Sequence, residues 1–129
     1  LTNYGKEQQF SSMNISKCIT GSSSQLWFST FQNEIISYNI NTNTLNICDI
    51  SRGIISNSVW DIIKDSRGNI WAGTDSGIAV INPFNNTLQY LSEKEGLCNN
   101  VVYKMIQRTN GEIWAGTLKG ISIIRKLIY

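Results

Sequence analysis

The strongest constraint on the fold is a phrase that the chain writes twice. GNIWAGTDSGIAVINP at residues 68–83 returns 43 positions later as GEIWAGTLKGISIIRK at residues 111–126. Val59 and Val102, Ile62 and Met105, Trp71 and Trp114, Gly73 and Gly116, and Gly77 and Gly120 keep the same offset. A weaker third copy lies upstream, where Trp27 stands 44 positions before Trp71, with Leu26 opposite Ile70 and Thr30 opposite Thr74. Self-similarity at this period marks a chain of supersecondary units, each of which must stack on its neighbours to bury an apolar face.

Each unit reads as four short strands. VWDIIK is β-rich and stops at the turn DSRGN, where Asp and Gly favour hairpin geometry. IWAGT is the second strand, GIAVIN the third, and TLQYLS the fourth after the turn PFNN. No window carries the i, i+3, i+4, i+7 apolar spacing of a helix. Four strands in ~40 residues, repeated with a Trp and a Gly–Thr step, describe a β-propeller blade. The fold class is therefore all-β, about three four-stranded antiparallel blades. A β-solenoid or β-sandwich is the structural alternative, although solenoid rungs are shorter, ~20–30 residues. The blades fall near residues 13–56, 57–99 and 100–129 of a single segment spanning 1–129.

The repeated residues suit packing. Trp71, and with it Trp27 and Trp114, offers a flat apolar face to a neighbouring sheet. Ala72, Gly73 and Gly116 are small enough to let the next blade approach. Gly77 and Gly120 sit where the chain reverses, a place for positive φ.

Composition narrows the function. The chain is 41% hydrophobic and 16% charged, with a net charge of +2. Its apolar runs are far shorter than the ~18 residues of a membrane span. Its cations are scattered rather than gathered into a patch for nucleic acid. There is no histidine, which removes the commonest general base and metal ligand. The three cysteines show no CxxC spacing, so neither a zinc site nor any other cofactor is expected. Cys18 aligns with Ile62 and Met105 and reads as a small core residue, while a Cys48–Cys98 disulfide stays open. Without an initiator Met or a signal peptide, the chain reads as a piece of something longer.

Asn57, Val59, Ile62, Asp65, Gly68, Ile70, Trp71, Gly73, Thr74 and Gly77 fill the pattern N-x-V-x-x-I-x-x-D-x-x-G-x-I-W-x-G-T-x-x-G. This resembles the two-component regulator propeller repeat. The next copy keeps the pattern from Asn100 to Gly120 but carries Arg108 at the Asp position, and the first copy has Gly21 and Ser24 at the Asp and Gly positions. The resemblance implies an extracytoplasmic, periplasmic sensor region of a membrane-bound hybrid histidine kinase that responds to carbohydrate fragments. Kinase activity would then lie outside these residues.

The sequence is compatible with three functional classes: a binding and signalling module, a propeller used as a protein-binding scaffold with no small ligand, and a catalytic propeller. No catalytic constellation is visible. Asp65 falls in a turn, where it bonds backbone amides. Asp61 is replaced by Lys104 in the next copy, and without histidine no Ser–His arrangement can form. Ligand contacts are expected at one end of the blades, on TDSG 74–77, TLKG 117–120 and SEKEGLCNN 92–100. Trp60 and Tyr103 occupy equivalent positions at the start of the innermost strand, either to stack on sugar rings or to pack between blades. Asp75, Lys119 and Asn100 are the candidate hydrogen-bonding partners, or else solvated loop residues.

The phase of the repeat adds an expectation about the edges. LTNYGKEQQF aligns with a fourth strand, so residues 1–10 are expected as the outer strand of an adjoining blade, whereas GISIIRKLIY reaches only a third strand. An open arc exposes strand edges and apolar faces. The chain is therefore expected to associate with itself, a head-to-tail dimer making a six-bladed ring.

Overall fold

The computed structural model describes residues 13–22, 24–31, 34–49 and 58–125. Three antiparallel sheets follow one another along the chain. The first holds β1 (Ile15–Thr20), β2 (Gln25–Thr30), β3 (Glu34–Asn39) and β4 (Thr44–Asp49), hydrogen-bonded in that order. The second holds β5 (Val59–Lys64), β6 (Ile70–Thr74), β7 (Gly77–Asn82) and β8 (Thr87–Leu91), again in chain order. The third holds β9 (Val102–Gln107), β10 (Ile113–Thr117) and β11 (Gly120–Ile124), with β10 in the middle. One 3-10 turn, Glu93–Glu95, lies in the connection after β8, where the Ser92 side chain accepts from the Lys94 backbone N–H. The all-β propeller architecture read from the repeat is the one observed. The expected outer strand over residues 1–10 lies outside the described residues.

Turn chemistry repeats with the strands. Asn43 and Asn86, at equivalent places in the third turn of the first two sheets, adopt φ of 54° and 57°, a left-handed conformation that Asn tolerates. Gly77 and Gly120 open the third strands with φ of 109° and 117°. At Gly77 a β-carbon would lie 2.3 Å from the Leu91 carbonyl oxygen, so both the conformation and the space demand glycine.

The blades stack through two apolar layers. In the first layer Trp27 and Ile35 of the first blade meet Val59, Ile62, Ile70, Ala72, Ala79 and Ile81 of the second. In the second, Trp71, Ile78 and Val80 meet Val102, Met105, Ile113 and Ala115 of the third, with Leu97 from the connection. Successive residues of a strand point to opposite faces, so each blade has a trailing face carrying its Trp and a leading face carrying small and branched residues.

Two expectations need correction. Gly73 does admit the following blade, but its neighbour Ala72 faces backwards and packs among the residues that meet Trp27. Cys18 is exposed rather than a core residue. It shares the leading-face register of Ile62 and Met105, which are covered by the blades before them, and no described strand precedes β1. The three thiols are free, so Cys48 and Cys98 are not bridged.

Candidate ligand-binding site

Each innermost strand carries a register shift, between Ile15 and Lys17 in β1, between Val59 and Asp61 in β5, and opposite Gly116 and Thr117 in the pairing with β9. A bulge adds one residue and re-aims its side chain. The residues set aside are Ser16, Trp60 and Tyr103. The bulge thus lifts Trp60 and Tyr103 out of the strand alternation, and they remain 45% and 39% exposed. Their rings meet edge to face, with centroids 5.3 Å apart and planes at 63°. The Trp60 indole Nε1–H donates to Asp75 Oδ1 at 2.5 Å, which fixes the ring against the β6–β7 turn.

That turn is itself anchored. Thr74 Oγ1 donates to the Gly77 carbonyl at 2.9 Å and accepts from the Ser76 N–H at 3.0 Å. The Gly77 N–H donates to the Asn100 carbonyl, and the Leu118 N–H to the Val101 carbonyl. The connection between blades two and three is therefore bonded to the second-to-third-strand turns of both blades.

The structure brings Trp60, Tyr103 and Asp75 together. The Asn100 carbonyl bonds to the same turn through Gly77, while the Asn100 side chain and the Lys119 backbone N–H have local partners. The Asn100 side-chain oxygen accepts from the Glu93 N–H at 2.8 Å and holds the 3-10 turn. Lys119 is exposed on the β10–β11 turn, where its backbone N–H donates to Thr117 Oγ1 at 3.2 Å. A concavity also lies at the opposite end of the strands, a region the sequence reading passed over. A groove of about 620 Å³ between the first and second blades is bordered by Lys64, Arg67 and Phe84. An exposed Phe in the PFNN turn was the signal for it.

Asp61 was also missed. Its carboxylate is 1% exposed, yet it serves three blades. Oδ1 receives Lys17 Nζ at 2.5 Å from the first blade, and also the Ile62 N–H at 2.9 Å. Oδ2 accepts the Met105 N–H of the third blade at 2.9 Å. A buried carboxylate is tolerated when paired and hydrogen-bonded in this way.

The hairpin end of each blade treats its Trp differently. In the second blade buried Asp65 accepts the Arg67 and Asn69 N–H groups, each at 2.9 Å, and the Trp71 indole N–H at 2.8 Å. In the third blade Arg108 replaces that Asp and lies 5.7 Å from the centre of the Trp114 ring, a cation–π geometry. The Trp114 indole N–H turns instead to Glu112 Oε1 at 3.3 Å. The Glu112 carboxyl is held below the ordinary glutamate range by hydrogen bonding to Asn110 and Trp114, with Arg125 and Arg108 adding to the effect. In the first blade Gly21 takes the position, and a β-carbon there would lie 2.7 Å from the Trp27 ring.

These blades define a β-propeller repeat protein, with a packing core repeated from blade to blade and an exposed aromatic pair at one end of the innermost strands. Residues 53–76 match the two-component regulator propeller family, so the resemblance seen in the sequence stands at that repeat. The fold is similar to the extracellular domain of a putative one-component system, BT4673, from B. thetaiotaomicron, with a TM-score of 0.72 and 22% identity over 86% of this chain and 15% of that one. It is also similar to PorZ, a surface component of the type-IX secretion system of Porphyromonas gingivalis (TM-score 0.68, 14% identity, 86% of this chain and 17% of that one). The WD40 β-propeller domain of Doa1 follows at a TM-score of 0.66 and 16% identity, over 84% of this chain and 36% of that one. At these identities the likeness shows the propeller fold, and the chain spans about a sixth of the length of the first two. A search of curated proteins finds no match. Among the described residues no helix is long and apolar enough to cross a membrane.

Proposed function

We propose that this chain is part of the ligand-sensing propeller of an extracytoplasmic two-component-type sensor, and that Trp60 and Tyr103 stack on a carbohydrate fragment. The observation that carries the reading is the exposed edge-to-face pair, set outward by two bulges and braced by Asp75. An indole held by a hydrogen bond loses little freedom when a sugar ring stacks on it, so the platform is pre-organised. The apolar C–H face of a sugar suits such a surface, and the polar loops around it suit its hydroxyls. The match to the regulator propeller family and the likeness to an extracellular domain support the extracytoplasmic setting, for which the periplasm is the compartment proposed.

The test is titration of a panel of neutral and acidic oligosaccharides, followed by tryptophan fluorescence and calorimetry. The double variant Trp60→Ala/Tyr103→Ala should keep the far-ultraviolet spectrum and lose binding by ~10-fold or more, since each stacked ring is worth on the order of 1 kcal/mol. Unchanged affinity in the double variant, or no saccharide binding at all, removes the proposal. A protein-binding scaffold with no small ligand is the second reading, favoured by the exposed Ile106, Leu118 and Ile121 of the third blade.

A further inference from the structure

The trailing face of the third blade is built like the trailing face of the second, yet among the described residues nothing covers it. In the second blade the row Ile63–Trp71–Val80 and the row Asp61–Gly73–Ile78 receive the next blade. The matching rows in the third blade are Ile106–Trp114–Ile123 and Lys104–Gly116–Ile121. Ile106 is 60% and Ile121 64% exposed. A β-carbon on Gly73 would meet Val102 of the next blade at 3.0 Å, whereas one on Gly116 would meet only its own sheet, the Lys104 carbonyl at 3.7 Å. The landing site is repeated and its visitor is not among the described strands.

The charges say what kind of visitor fits. Lys17, Asp61 and Lys104 occupy one register position on successive innermost strands. At the first interface Lys17 reaches forward to Asp61. Asp61 reaches forward in turn, to the Met105 N–H. Lys104 stands where Lys17 stands, one blade from the next carboxylate position, and among the described residues it has no acidic partner. Arg108 adds a second cation over Trp114, itself 3.8 Å from the Glu112 carboxylate.

We propose that the trailing face of the third blade binds a further blade of the same repeat whose innermost strand carries an Asp or Glu opposite Lys104. Branched side chains at the positions of Val59 and Ile62 would cover Gly116 and Trp114, as Val102 and Met105 cover Gly73 and Trp71. The first blade of a second copy fits less well, because it would bring Lys17 towards Lys104, two ammonium groups in a closing apolar interface.

A chain that supplies such a blade tests this. Residues 40–91, which carry a fourth strand and then the second blade with its Asp61, are appended in phase after Arg125 in place of residues 126–129. In the extended chain Lys104→Glu should lower the unfolding midpoint by roughly 2–4 °C, and Asp61→Lys in the appended blade should restore it. In the unextended chain Lys104→Glu should leave the midpoint and the sedimentation unchanged. Equal effects in both backgrounds, no restoration by the charge swap, or an extended chain that does not unfold as one unit would overturn the proposal. So would association of the unextended chain that Lys104→Glu strengthens, which would identify a second copy's first blade as the occupant.

Discussion

Gly73 and Gly116 are the same word in two copies of the repeat, and the structure predicts opposite results when each becomes alanine. Neither has positive φ, so in both places the added methyl restricts the unfolded chain and favours folding by about 0.4–1 kcal/mol. At Gly116 the nearest atom is 3.7 Å away, an ordinary contact, so Gly116→Ala should stabilise by about that amount. At Gly73 the methyl would sit 3.0 Å from Val102 Cγ1, 3.1 Å from the Val102 carbonyl oxygen and 3.3 Å from Met105 Cε. The Met105 terminus can swing away, but the Val102 backbone moves only with its strand. Relief requires the third blade to back off by about 0.5 Å, against van der Waals contacts that lie at 3.5–4.0 Å. Overpacking of this kind costs about 1–3 kcal/mol, so Gly73→Ala should lose about 1–2 kcal/mol net. Urea unfolding followed by tryptophan fluorescence reads both variants, and their thermal midpoints should differ by roughly 5–10 °C. Equal midpoints for the two variants would refute the claim that the second and third blades pack in direct contact at Gly73.

Asp65→Ala removes the acceptor of the Asn69 amide and of the buried Trp71 indole N–H, and should destabilise the chain by roughly 2–4 kcal/mol in urea titration. Glu112 has a lowered pKa in the folded chain, so its contribution is present above the ordinary glutamate range and is lost as pH falls through the folded value. Glu112→Gln should therefore flatten the acid limb of a stability–pH curve and leave its alkaline limb alone. The exposed Cys98 thiol is pulled below the ordinary range by the hydroxyls of Ser122 and then Thr117. It should react with a disulfide reagent at lower pH than a small free thiol does, and Ser122→Ala should move its midpoint upward.

The architecture was legible because propeller packing depends on residues that recur at fixed offsets. Trp71, Gly73 and Gly77 announce their jobs through Trp114, Gly116 and Gly120. The aromatic pair was legible for the same reason, since Trp60 and Tyr103 share a repeat position and neighbouring blades bring such positions together. The bulge that exposes them was not, because an extra residue in a six-residue strand leaves no mark in an alternating pattern. The job of the Asn100 side chain was not legible either: its amide oxygen holds Glu93, a contact set by the fold of one connection. Cys18 misled because alignment assumes that equivalent residues have equivalent neighbours, and β1 follows no described strand.

Asp61 shows where repetition stops informing. Across the copies its position holds Lys, Asp and Lys, which looks like drift when each repeat is read by itself. In space the same three residues lie on adjacent innermost strands, and the difference between them is the interaction. A carboxylate that accepts Lys17 from one side and the Met105 N–H from the other can serve only the middle blade of the three. The Trp residues follow the same logic: Trp71 donates to Asp65, Trp114 to Glu112 beneath Arg108, and Trp27 lies over Gly21. Shared residues give every blade the same shape and would allow any blade to follow any other. The residues that differ give each interface its own donor and acceptor, and so set the order in which nearly identical blades can stack.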